Sequence, residues 1–192
     1  KDGYRETTNY LKYCQITIAQ KEEYIAPVQD PEQRILMLED LMTFSFKCLK
    51  TFQGDLFDPS ISPRLGSDDL RETTNYVSNC EKIIELKNQN IQNIPSPMGR
   101  FGVLPDLISF TARCLLESQS DLFAPSIVPR LGADDLHETT NLLNNCNSIM
   151  NDLKGQYDPL SCGPNDVATR NELVKNMRIV ERWCKNKLSS EL

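Results

Sequence analysis

Seven cysteines carry most of the chemistry in this chain: Cys14, Cys48, Cys80, Cys114, Cys146, Cys162 and Cys184. Their spacing is periodic. Cys14, Cys80 and Cys146 stand 66 residues apart, as do Cys48 and Cys114, while Cys184 falls four residues late for that second series. Zinc is a poor match, because no C-x2-C or C-x4-C pair occurs to seat two thiolates on one ion. A nucleophilic thiolate needs a base beside it, and Cys162, in the run Ser-Cys-Gly-Pro, has none nearby in sequence. Two cysteines recurring in each copy of a repeat instead predict disulfides, and with them an oxidising, extracellular compartment.

Two ladders satisfy the spacing. One closes each copy on itself: Cys14–Cys48, Cys80–Cys114 and Cys146–Cys184, leaving Cys162 unpaired. The other is shifted: Cys48–Cys80, Cys114–Cys146 and Cys162–Cys184, leaving Cys14. The first is preferred because Cys162 occurs only in a loop that diverges from the other copies.

Other candidate chemistry is thin. Asp68, Asp69 and Glu72, with Asp134, Asp135 and Glu138, are paired carboxylates of the kind used for acid–base work or calcium. They lack the D-x-D-x-D-G spacing of a calcium loop, and a helix start explains them, since carboxylates there meet free N–H groups and the positive end of the dipole. His137 is the only histidine, so neither a His-based metal site nor a triad has enough partners. No cofactor is expected. Of the repeated Glu-Thr-Thr-Asn motif, Thr73 is assigned to the core and Glu72, Asn75 and Asn79 to an exposed polar strip.

The elements that must position these residues come from a tandem repeat. Residues 54–80 return as 120–146 with 19 identities, and Arg5-Glu6-Thr7-Thr8-Asn9 with Cys14 opens a third, truncated copy. The expected organisation is residues 1–53 as repeat 1 without its linker, 54–119 as repeat 2, and 120–192 as repeat 3 with a divergent loop, together one cooperative domain. Each copy predicts two helices. Helix A carries the stripe Tyr4, Thr7, Leu11, Cys14, Ile18, repeated as Leu70, Thr73, Val77, Cys80, Ile84 and as Leu136, Thr139, Leu143, Cys146, Met150. Helix B buries Leu38, Leu41, Phe44 (or Ser45), Cys48 and Phe52 in copy one and Leu107, Phe110, Cys114 and Leu115 in copy two, where it is expected to begin near Pro105 after a loop over 95–102. In copy three, after a loop over 155–165, it buries Leu173 (or Val174), Met177, Val180, Cys184 and Leu188.

The linker is the best-kept part of the repeat. Phe57, Pro59, Ile61, Pro63, Arg64, Leu65 and Gly66 match Phe123, Pro125, Ile127, Pro129, Arg130, Leu131 and Gly132. Prolines and glycines forbid one helix there, and the apolar side chains predict an inter-repeat joint packed onto the core.

The fold class that follows is all-α: three 66-residue repeats, tandem disulfide-stapled helical hairpins forming a short solenoid or compact bundle. A net charge of −6 disfavours nucleic acid as a partner. No apolar run is long enough to span a membrane. The expected function is that of a secreted, non-enzymatic protein that binds an unidentified protein partner, as effector, salivary or venom proteins do. The alternative is a carrier of a small apolar ligand among Met37, Met42, Phe44, Phe46, Phe52, Phe101 and Phe110.

Overall fold

The structure is a computed structural model, and it describes residues 6–53, 72–119, 136, 138–160, 163 and 166–190. Among these residues the chain forms six α-helices and no strand: α1 (Glu6–Ile25), α2 (Pro31–Gln53), α3 (Glu72–Asn93), α4 (Pro97–Ser118), α5 (Glu138–Tyr157) and α6 (Val167–Ser189). The inter-repeat joint predicted from Phe57 to Gly66 and from Phe123 to Gly132 lies outside the described residues, as do His137, Cys162 and the aspartates at 68, 69, 134 and 135.

Local chemistry sets the helix starts. Asp30 Oδ1 accepts the Glu32 N–H at 2.9 Å, and Pro31 takes the first helical position, where a missing N–H costs nothing. Ser96 and Pro97 repeat this for α4, with Ser96 Oγ accepting the Gly99 N–H at 3.2 Å. The helix therefore begins at Pro97 and not near Pro105, which sits exposed inside it. A cap followed by proline outweighs the helix-breaking tendency of Gly99, Gly102 and Pro105. Gly99 is also needed for space: a Cβ there would meet Ile94 Cγ2 at 3.0 Å, so the chain entering α4 lies close against its first turn. Gly155 likewise falls inside α5, so the third loop starts later than residue 155.

Three disulfides join the helices in pairs. Cys14–Cys48 links α1 to α2 with Cα atoms 6.2 Å apart, Cys80–Cys114 links α3 to α4 at 6.2 Å, and Cys146–Cys184 links α5 to α6 at 6.3 Å. All six cysteines are buried; Cys14, Cys80 and Cys146 lie about two turns into their helices, whereas Cys48, Cys114 and Cys184 lie little more than one turn before the C-terminal ends of theirs. The chain divides into two compact units, Lys1–Leu86 with Cys114–Leu131 and Lys87–Arg113 with Gly132–Leu192. The first holds α1, α2, the beginning of α3 and the end of α4. The second holds the rest of α3 and α4 with α5 and α6.

The buried faces differ from the predicted stripes in a consistent way. Helix α5 buries Leu142, Asn145, Cys146, Ile149 and Leu153, while Thr139 and Leu143, both expected inside, are exposed. Helix α3 buries Tyr76, Asn79, Ile83 and Ile91 as well as Cys80 and Ile84. These faces are rotated and widened because each helix covers more than its disulfide partner. Tyr76 meets Phe46 of α2, their ring centroids 6.3 Å apart, and Asn145 bonds to side chains of α3. Asn79 is 7% exposed, so its assignment to the polar strip is corrected. On α6, Leu173, Val180 and Cys184 are buried, Met177 is partly covered, and Leu188 is exposed.

Peptide mapping without reduction is expected to recover the 14–48, 80–114 and 146–184 links, whereas a Cys48–Cys80 peptide would contradict the structure. Replacing Cys80 and Cys114 together by alanine should lower the unfolding free energy by about 4 kcal/mol in urea titration, the chain-entropy value for a loop of this length.

Candidate functional site

The first two hairpins are each crossed by a charged tie. Lys21 of α1 donates to Asp40 of α2 and lies over the Phe44 ring, 5.6 Å from its centroid. Lys87 of α3 does the same with Asp106 of α4, at 2.7 Å, and with Phe110, at 5.4 Å. The Lys87 side chain is only 14% exposed, so its stem packs while its ammonium reaches Asp106 at the rim. Counted from the cysteines, the third hairpin has Leu153, Asn176 and Val180 at these positions, and it buries Leu153 and Val180 instead. Both lysines are thus held by a carboxylate and a ring, which makes them ties between the helices of their hairpins.

In the second unit a polar cluster joins α3 and α4 to α5. Asn145, 2% exposed, donates to Asn88 Oδ1 at 3.0 Å and to the Asn141 carbonyl at 2.9 Å, and accepts from Gln92 at 2.9 Å. Arg100 on the first turn of α4 donates to Asp152 and, at 3.4 Å, to Ser148 of α5. Its side chain is 8% exposed, so Asp152 neutralises a charge that has little water around it. Arg170 plays a local part, donating to the Leu160 carbonyl and to Tyr157 Oη, with its guanidinium 4.2 Å from the Tyr157 ring centroid.

Two surface grooves stand out. One, of 440 Å3, lies between α1 and α2 and is lined by Thr17, Gln20, Tyr24, Ile25 and Met37, with the Lys21–Asp40 pair at its side. Around it the hairpin holds large side chains in solvent: Tyr13 is 65% exposed, Tyr24 72% and Leu36 69%. The other, of 670 Å3, runs along α6 past Val174, Arg178, Ile179, Arg182 and Trp183. Trp183 is held there by Phe101 of α4 in an edge-to-face contact, ring centroids 5.3 Å apart and planes at 83°. Both grooves are open to solvent.

Of the residues singled out in the sequence, the structure brings together the six paired cysteines and no catalytic constellation among the described residues. Nor do three or more His, Cys, Asp or Glu side chains gather at a metal-binding distance among them. The side chains of Glu72 and Glu138 are not described. Sequence reasoning missed the Lys–Asp–Phe ties and the Asn145 cluster. The ties had a signal: Lys21, Asp40 and Phe44 recur unchanged as Lys87, Asp106 and Phe110 within a stretch that otherwise drifts between copies.

Asn145→Ala should cost about 1–3 kcal/mol in chemical unfolding, because the buried amide gives up its three hydrogen bonds to Asn88, Asn141 and Gln92. Asp152→Ala should cost a similar amount by leaving Arg100 charged and enclosed. Combining Asp152→Ala with Arg100→Met should recover part of that loss, and a full additive loss would show that the pair is not coupled.

Comparison with protein families, curated proteins and solved structures found no match to this chain.

Proposed function

We propose that this is a secreted, non-enzymatic protein that acts by binding another macromolecule. The observation that carries the reading is a covalently tied hairpin that keeps large apolar side chains in water. Tyr13, Tyr24 and Leu36 project from α1 and α2 at 65%, 72% and 69% exposure, and Tyr24 lines an open groove. Folding gains nothing from leaving them there, whereas a partner that covers them gains roughly 1.5–3 kcal/mol for each large side chain it fully buries.

Three disulfides support an oxidising compartment, and among the described residues no helix is long and apolar enough to cross a membrane. Stacking of the hairpins into a short solenoid belongs to the same proposal, since repeat scaffolds present binding surfaces of this kind. Neither groove encloses a ligand-sized chamber, so neither recommends the carrier reading.

The test is affinity capture with the oxidised protein against the tissue or fluid it meets. A saturable partner is expected, with retention lost in a Tyr13→Ser/Tyr24→Ser variant whose disulfides and helical circular dichroism are unchanged. Saturable capture that ignores this variant would move the binding surface elsewhere on the protein. Absence of any saturable partner, with co-purified lipid in its place, would overturn the reading.

A further inference from the structure

Helix α6 has a charge opposite to that of the protein around it. It carries Arg170, Lys175, Arg178, Arg182, Lys185 and Lys187 against Glu172 and Glu181, a net +4 within a chain of net −6. Several of these cations are already engaged. Arg170 serves Tyr157 and the Leu160 carbonyl, Lys175 lies 4.0 Å from Glu172, and Lys185 donates to Glu181 at 2.8 Å. The hydrogen bond from Lys185, and its charge, hold the Glu181 carboxyl below the usual carboxylate range. Arg178 and Arg182 are different: among the described residues they make no hydrogen bond or ion pair. They stand one turn apart on the exposed side of the helix, with Val174, Ile179 and Trp183 beside them in the same groove.

Comparison with the other second helices shows that this face has changed character. Arg178 lies six residues before Cys184, and the residues six before Cys48 and Cys114 are Met42 and Ile108, 5% and 9% exposed. Val174 corresponds in the same way to Leu38 and Leu104, 5% and 0% exposed. A face that is apolar and covered in α2 and α4 is cationic and open in α6. A purely solvated face would do best with both signs interspersed, but this stretch offers unpaired guanidinium groups around an aromatic ring.

The geometry points to the α6 face as a docking site for an acidic amphipathic helix of a partner protein, a second face, besides that of α1 and α2, for the binding function proposed above, on which it rests. Carboxylates one turn apart on such a helix match Arg178 and Arg182 as bidentate acceptors, and its apolar side chains lie against Ile179 and Trp183 in the helix-in-groove mode. The groove runs from Asn171 to Asn186, about 22 Å at the helical rise, enough for four turns of a partner. A lipid surface fits less well. Trp183 is half-buried and held by Phe101, so it is not placed to insert, and two arginines supply only about 1 kcal/mol each toward anionic headgroups.

Trp183 is the only tryptophan, so its fluorescence reports on this face alone. The oxidised protein is titrated with a synthetic amphipathic helical peptide bearing Glu pairs at i, i+4 and leucines beside them, with a scrambled peptide of the same composition and with phosphatidylserine vesicles. A saturable shift is expected for the amphipathic peptide alone, weakened at least tenfold in Arg178→Glu/Arg182→Glu and weakened by added salt. Arg178→Lys/Arg182→Lys should retain part of the affinity, which separates charge from loss of fold. Equal response to the scrambled peptide, preference for vesicles, indifference to the charge reversal, or no response would overturn the inference. In the capture experiment, a saturable partner that still binds the Arg178→Glu/Arg182→Glu variant removes this docking site while leaving the binding function standing.

Discussion

One constraint organises the structure: in each hairpin a disulfide joins the first helix, about two turns from its start, to the C-terminal part of the second. With Cα atoms 6.2 to 6.3 Å apart, the bond admits only close side-by-side packing of the two backbones. It also sets which residues can meet across the pair. Lys21 and Asp40 can tie because Cys14 and Cys48 fix the register of α1 against α2, and Lys87 and Asp106 follow from Cys80 and Cys114. The third hairpin keeps the disulfide and drops the ion pair, replacing it by buried Leu153 and Val180. The disulfide is thus the invariant of the hairpin, and the charged tie is one of two ways to fill the space next to it.

With the pairs held covalently, the helices have surface to spare for other contacts. Helix α5 uses it on Asn145, whose amide meets Asn88, Gln92 and its own helix, and on Asp152, which meets Arg100. Such polar contacts add directional pairing to an otherwise apolar core, because a shifted helix would leave an amide or a guanidinium buried without a partner. Helices α1 and α6 put surface to a different use. On α1 large aromatic side chains stay in water, and on α6 arginines replace apolar residues on a face that the other second helices cover.

Much of the fold could be read from residue types and spacing. Helical class followed from 3.6-residue periodicity; the cysteine spacing alone allowed two ladders, and the place of Cys162 in a divergent loop favoured the one that the structure shows. The errors came from treating each helix as having one neighbour. A single stripe put Thr139 and Leu143 inside and Asn79 outside, whereas a helix with two neighbours buries a wider, rotated face and takes polar residues into it when they find partners. The α4 start differs from the expected one near Pro105 because Ser96-Pro97 caps and begins the helix within the stretch 95–102 expected to be a loop. The α6 face was hidden for a further reason: its charge has meaning only beside the apolar residues at the matching positions of α2 and α4.

The central claim is that disulfide-tied hairpins hold the faces through which this protein binds. The most direct measurement compares the titration midpoint of the acidic helical peptide, followed by Trp183, for the oxidised protein and for the protein after full reduction and thiol blocking. Midpoints are compared because Trp183 adjoins Cys184, so reduction alone changes its intensity. The account predicts that binding is weakened many-fold once α5 and α6 are no longer joined. An unchanged midpoint in the reduced protein would contradict it.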